Sequence, residues 1–173
     1  VTATDPRQEG QDLELPERRI GILQRNTGAH GRDHQQGCGK EDGVSPTRDA
    51  DEDTQAILKN FVNDMPIKGV IHSFTSGIAL AEYCLGEGFN LGFNGICTFN
   101  KAENVREVVG ITPLEQTLLE TDSPYLTPIP YRGKENAPFY LPFIAEKVAE
   151  VKGVSVEEVL KQTYQNSLRT FFN

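Results

Sequence analysis

The sequence predicts an α/β protein built on a parallel sheet with helices around it. Three observations predict this. Strand and helix patterns alternate from Asp49 to the end of the chain. An apolar run, Ile111 to Leu119, leads into Glu120 and Asp122, and Pro124 and Pro128 stiffen the turn behind them. Acids at the carboxyl end of a buried strand sit where parallel sheets and barrels collect their chemistry. Finally, only three strands are legible, whereas a closed eight-stranded barrel typically takes about 250 residues and this chain has 173. The expectation is the C-terminal portion of a TIM-like (β/α)8 barrel, incomplete, with an atypical N-terminal segment.

The elements follow in order. Asp51 to Val62 has the spacing of a short amphipathic helix, with Ala56, Ile57, Phe61 and Val62 as its apolar face. A strand runs from Lys68 and ends at His72. Ser76 to Leu85 is a helix closed by Gly86 or Gly88. Phe89 to Phe93 is the second strand and Lys101 to Val109 the second short helix. The third strand is the apolar run ending at Leu119. Two helices close the chain: Asn136 to Lys152, stopped by Gly153, and a last one opened by the capping box Ser155-Val156-Glu157-Glu158. In the last helix Val159, Leu160, Tyr164, Leu168 and Phe171 recur at helical spacing and are expected to face the core.

Composition divides the chain near residue 48. The first aromatic is Phe61, and residues 1–48 hold seven of the sixteen glycines. Such a segment cannot bury enough apolar surface to offset its conformational entropy. Residues 1–47 are therefore expected to be an atypical, disordered segment, and residues 48–173 one partial barrel domain. Residues 1–48 carry seven Lys/Arg against eight Asp/Glu, a net of −1. The remainder carries ten against seventeen, a net of −7, and together they make −8. That excludes a basic nucleic-acid-binding module. An acidic protein handles a polyanion only through bound cations or a small local patch of positive charge. Cys38, Cys84 and Cys97 are odd in number and widely spaced, so neither a disulfide framework nor a zinc finger is indicated, and Cys84 and Cys97 sit in apolar surroundings as core thiols. No membrane-spanning run and no signal peptide is present, which predicts no membrane association and a cytoplasmic location.

His72 and Asp122 each end a strand. At one face of a parallel sheet they are candidate metal ligands, since imidazole and carboxylate suit borderline divalent cations. The simpler readings are a structural histidine and an acidic turn that only ends a strand. Arg132 and Lys134 are the basic residues nearest the acidic turn and are candidates for phosphate contact, against the alternative of a solvated loop. His30 and His34 lie four apart but in a polar, Gly-rich stretch that does not favour a metal pair.

The segments Gly69-Val70-Ile71-His72-Ser73-Phe74-Thr75-Ser76-Gly77, Gly92-Phe93-Asn94-Gly95, Glu120-Thr121-Asp122-Ser123-Pro124-Tyr125-Leu126, Pro130-Tyr131-Arg132-Gly133-Lys134-Glu135-Asn136-Ala137-Pro138 and Thr163-Tyr164-Gln165-Asn166 together resemble the TatD family of metal-dependent deoxyribonucleases over about residues 48–173. The resemblance implies a distorted (β/α)8 barrel that cleaves phosphodiester bonds of DNA, often as a 3′–5′ exonuclease, with one or two divalent cations (Mg, Mn or Zn). It implies His72 and Asp122 as metal ligands, Asp122 also as the catalytic group acting on the attacking water, and Glu120 supporting Asp122 from behind. Arg132, Lys134 and Asn136 would lie on the substrate rim.

The chain departs from the family pattern in its first part. It has no His-x-His pair and no Gly-Glu-Ile-Gly-Leu-Asp segment, and Arg48-Asp49-Ala50 lack the histidine that precedes them in the family. The codons of Val44-Ser45-Pro46, read one nucleotide later, can spell Phe-His, as a frame-shift near residue 48 would require. The expectation is a hydrolase impaired in this chain, with doubtful metal binding and self-association through exposed barrel edges. The alternatives are a non-catalytic barrel remnant or binding module, and a deacylase of the same barrel superfamily.

Overall fold

The structure, a computed structural model, describes residues 46–65 and 68–172. The expectations placed on residues 1–45, among them the His30 and His34 pair and Cys38, lie outside those residues. In chain order the elements are α1 (Pro46–Phe61), β1 (Val70–Ile71), α2 (Ile78–Gly86), β2 (Asn90–Phe93), α3 (Glu103–Ile111), β3 (Thr117–Leu119), α4 (Leu141–Lys152) and α5 (Val156–Phe172). The strands form one parallel sheet in the order β1-β2-β3. The alternation read from the sequence is therefore the observed architecture.

The two crossover helices and α4 each turn a short apolar stripe to the core. In α2 it is Leu80, Ala81 and Cys84; in α3 Val105, Val108 and Val109; in α4 Ile144, Ala145, Val148 and Ala149. These spacings are one face of a 3.6-residue helix. They pack with Leu91 and Phe93 of β2 in a single core. α4 ends at Gly153, whose φ of 67° is the left-handed conformation glycine adopts without steric cost. α5 begins where Ser155 Oγ accepts the Glu158 N–H at 3.1 Å, as the capping box predicts.

Several local expectations are corrected. The apolar run 111–119 is not one strand. α3 extends to Ile111, the Thr112 hydroxyl donates to the Val108 carbonyl at 2.7 Å, and Pro113 ends the helix. A 3-10 turn, Leu114–Gln116, follows, and only Thr117–Leu119 pairs with β2. β1 is likewise only two residues long. Residues 136–140 do not belong to α4, because Pro138 opens a separate 3-10 turn over Pro138–Tyr140. On the α1 side Leu58 and Val62 are buried while Ile57 and Phe61 are exposed, so the inward face is turned by one position.

The largest correction concerns α5. Val159 is buried as expected, but the other inward positions are Thr163 and Asn166. Leu160, Tyr164, Leu168 and Phe171 are exposed, Tyr164 by 65 %. Asn166 decides this. Its amide donates to the Leu114 and Thr117 carbonyls, both at 2.8 Å, at the amino end of β3. Thr170 Oγ1 accepts the Asn90 amide at 3.1 Å, at the amino end of β2. Orphan carbonyls outrank apolar area in choosing the buried face.

Cys84 and Cys97 are free and buried, as read. Burial, with the charge of Asp51 adding to it, pushes the Cys84 thiol up to about 11. Burial pushes the Cys97 thiol up to about 12 against the opposing charges of Lys147 and Arg106. Thiols that do not ionise do not react. Iodoacetamide at mildly alkaline pH is expected to leave both unmodified in the native chain and to modify both in concentrated urea, read by peptide mass mapping. Rapid native labelling of either would contradict this packing.

Candidate metal centre

All three strands deliver a polar residue to one end of the sheet. His72 follows β1, Asn94 follows β2, and Glu120 and Asp122 follow β3. The structure brings His72 and Asp122 together, as the sequence anticipates. His72 Nε2 lies 2.9 Å from Asp122 Oδ1, across 50 residues of sequence. Both side chains are about one-third exposed, so the pair is open to solvent.

Glu120, expected behind Asp122, contacts the other member of the pair. Its hydrogen bonds go to His72 and Ser73 rather than to Asp122. His72 Nδ1 donates to Oε2 at 2.6 Å, and the Ser73 N–H donates to Oε1 at 2.5 Å. Both carboxylate oxygens are thus held, and the His72 ring is fixed between two acids. The carboxylate lies directly over Gly92, where a Cβ would come 2.4 Å from Oε2. Alternation along β2 turns Leu91 and Phe93 to the core and leaves Gly92 on the face that Glu120 crosses. Asn94, only 3 % exposed, completes the support. Its amide donates to Ser73 Oγ at 2.8 Å and its carbonyl oxygen accepts the Ile96 N–H at 3.0 Å. Ser73, Gly92 and Asn94 are the site residues that sequence reasoning missed. They lie inside the motif segments quoted above, but nothing in their local pattern says which side chain each one meets.

The electrostatics follow from this placement. Burial lowers the His72 pKa, but the Glu120 charge and the hydrogen bonds that the ring donates to Asp122 and Glu120 outweigh it and hold the imidazole above its ordinary value. Burial raises the Glu120 pKa, and the His72 charge and the Ser73 N–H only partly offset it. The backbone is bent at the same spots. Ser73 has φ 52° and Asp122 φ 60°, both in the left-handed region that non-glycine residues enter at a cost. Such strain persists where the surroundings over-determine it, and here the Glu120 carboxylate, the Asn94 amide and the packing of the 121–136 loop do so.

Asn136 is placed inside that loop rather than on its rim. It is only 3 % exposed, and its amide donates to the Thr121 carbonyl at 2.6 Å and the Tyr125 carbonyl at 2.5 Å. It therefore braces the segment that carries Asp122. Arg132 and Lys134 are exposed on the rim. Arg132 sits over the Phe99 ring, 3.8 Å from its centroid, and Lys134 lies 5.3 Å from that of Tyr131.

The donor set fits part of a metal centre. With Nδ1–H held by Glu120, Nε2 is the ring nitrogen left for coordination, and a carboxylate behind the ring is what orients metal-binding histidines. A proton and a metal compete for the lone pair of Nε2. Among the described residues no group of three or more His, Cys, Asp and Glu is placed to hold a metal ion. A catalytic site uses about three protein ligands, so His72 and Asp122 supply a fraction of one.

The chain is similar to known proteins in both sequence and fold. The family model described as TatD related DNase matches residues 47–172. The metal-dependent hydrolase YcfH of Escherichia coli K12 is 47 % identical over 126 residues, covering 72 % of this chain and 47 % of the relative. The 3′-5′ ssDNA/RNA exonuclease TatD of Erwinia amylovora is 36 % identical over 129 residues, covering 72 % and 49 %. Among solved structures, the TatD homologue YJJV of Escherichia coli K12 superposes with a TM-score of 0.65 at 25 % identity, over 70 % of this chain and 46 % of that one. The chain spans about half the length of the relatives it matches. No helix among the described residues is long and apolar enough to cross a membrane.

Proposed function

The chain belongs to the TatD-related DNase family of metal-dependent hydrolases, and from that premise we propose that His72 and Asp122 are two ligands of a divalent cation (Mg, Mn or Zn) in a site that hydrolyses phosphodiester bonds of DNA, in the 3′–5′ exonuclease manner. The observation that carries the reading is the Glu120–His72–Asp122 chain of contacts at the carboxyl end of the sheet. When bound, the cation would lower the pKa of its water and neutralise charge on the scissile phosphate. The protein's own residues then divide the remaining work. Glu120 holds the Nδ1 proton and so keeps Nε2 free for coordination. Asp122 orients the attacking water and takes its proton. Arg132 and Lys134 hold the phosphates of the substrate strand at the rim.

A second reading is favoured by one observation, the set of two donors among the described residues. If no further ligand joins His72 and Asp122, the chain is a barrel remnant that keeps the scaffold without the chemistry. Both readings are tested by cleavage of a short labelled DNA with Mg²⁺ or Mn²⁺, compared with the Asp122→Ala variant and with EDTA. Removing a group that acts in both coordination and proton transfer is expected to lower the rate by at least about 100-fold. Metal-dependent cleavage lost in Asp122→Ala supports the hydrolase. Absence of cleavage from a sample with a cooperative melt supports the remnant.

A further inference from the structure

The loops after β2 and β3 are fastened to one another. Arg106 donates to the carbonyls of Cys97 at 3.1 Å, Phe99 at 2.6 Å and Asn100 at 3.2 Å, and pairs with Glu103 at 3.3 Å. Thr98 Oγ1 donates to the Gly95 carbonyl at 2.7 Å and accepts the Ile129 N–H at 2.9 Å. Gly95 is pressed against the backbone of Leu126, so closely that a Cβ there would overlap the Leu126 carbonyl. The Phe99 ring is therefore held in place beneath the Arg132 guanidinium.

Two clefts share this pair. One, of about 390 Å³, is lined by Thr75, Ile96, Lys101 and Ile129 among others. The second, of about 480 Å³, is lined by Pro124, Tyr125, Lys134 and Glu135 among others. Phe99 and Arg132 are the residues common to both. The first cleft reaches the loop behind His72 through Thr75, and the second reaches the turn behind Asp122 through Pro124. Charge is distributed against the trend of the chain. Lys101, Arg132 and Lys134 face one acid, Glu135, a local balance of +2 in a protein of net −8. No carboxylate pairs with Lys101 or Arg132 among the described residues. Tyr125, 73 % exposed, adds an aromatic face to the second cleft.

An arginine stacked on a ring has its face covered and offers its N–H edge, the fork that matches a phosphate. Aromatic faces beside a cationic track are the elements with which proteins hold unpaired nucleotides. We infer that the Arg132–Phe99 pair is a wall between two nucleotide subsites, across which one dinucleotide step of a nucleic-acid strand lies with its bridging phosphate on Arg132. This rests on the phosphodiesterase reading above and assigns Phe99 and Lys101 to substrate binding alongside Arg132. It also explains how an acidic chain approaches a polyanion: three cations are concentrated where the strand crosses the wall.

The test is binding without metal. In EDTA, calorimetry compares thymidylyl-thymidine with thymidine 5′-monophosphate on the whole chain. The dinucleotide is expected to bind about tenfold more tightly. Arg132→Gln and Phe99→Ala are each expected to remove most of that advantage, and Arg132→Lys is expected not to restore it, because a point charge does not stack and fork. Phe99→Leu keeps an apolar side chain in the loop and is expected to behave like Phe99→Ala, which separates lost stacking from lost folding; melts confirm that each variant folds. Equal binding of the two ligands, no binding of either, or an undiminished preference in Arg132→Gln and Phe99→Leu overturns the inference. Failure here leaves the phosphodiesterase reading to be judged on metal-dependent hydrolysis of bis(4-nitrophenyl) phosphate, which needs no dinucleotide subsite. A dinucleotide preference in a chain that never hydrolyses that ester would sink the hydrolase and keep the wall.

Discussion

Gly92→Ala is expected to dismantle the support of His72 while leaving the sheet intact. The new methyl would stand 2.4 Å from Glu120 Oε2, and that carboxylate is tied to the His72 ring on one oxygen and to the Ser73 N–H on the other. To admit the methyl it must release at least one of them. Overpacking of this kind costs about 1–3 kcal/mol, and loss of the group behind a metal-binding histidine lowers metal affinity about 10- to 100-fold. Urea denaturation measures the first effect, and calorimetry with Mn²⁺ or Zn²⁺ the second wherever the parent chain binds. A double-mutant cycle makes the cause specific. With Glu120 cut to Ala the space above position 92 is free, so Gly92→Ala in that background is expected to cost little, giving a coupling of about 0.5–3 kcal/mol. Additive losses would show that the methyl meets something other than Glu120. Imidazole NMR offers a direct view, since the chain has only three histidines: His72 is expected to lose its fixed Nδ1 proton in Gly92→Ala.

Asn166→Ala is expected to have the largest effect on stability of any single change in α5. Asn166 is fully buried, its amide satisfies the Leu114 and Thr117 carbonyls, and its own carbonyl oxygen accepts from Gln162 at 2.9 Å and Arg169 at 3.3 Å. Truncation strips the buried Thr117 carbonyl and the half-buried Leu114 carbonyl of their donor, at about 1–3 kcal/mol each. A total of about 2–6 kcal/mol is a large share of the roughly 5–15 kcal/mol that holds a domain together. The matched control is Tyr164→Ala. Tyr164 has the larger apolar side chain but is mostly exposed, and surface changes of this kind stay within about 0.5 kcal/mol. Urea midpoints of the two variants decide the matter. A larger loss for Tyr164→Ala would mean that the apolar stripe of α5, not its polar one, faces the protein.

These two residues also mark where sequence reasoning stopped. The apolar stripe Leu160, Tyr164, Leu168 and Phe171 has the period of a buried helix face, and periodicity alone selects it over Thr163 and Asn166. The error is physical rather than statistical. β3 begins at a 3-10 turn whose carbonyls need donors, and the nearest donor of the right length is an asparagine on α5. That demand belongs to a partner 49 residues away, and a local pattern carries no trace of it.

What the sequence by itself determined is the alternation of strands and helices, the helix caps, the burial of Cys84 and Cys97, and the delivery of His72 and Asp122 to strand ends. All of these depend on neighbours within a turn or two, where period, glycine, proline and capping residues act directly. The tertiary structure alone decided which oxygen meets which nitrogen. It set Glu120 against His72 rather than Asp122, required Gly92 to be bare so that a carboxylate could cross it, drew Asn136 into the loop, and stacked Arg132 on Phe99. Each of these is a contact between segments far apart in sequence, fixed by the packing of three strands and their loops and by the need of every buried polar group for a partner.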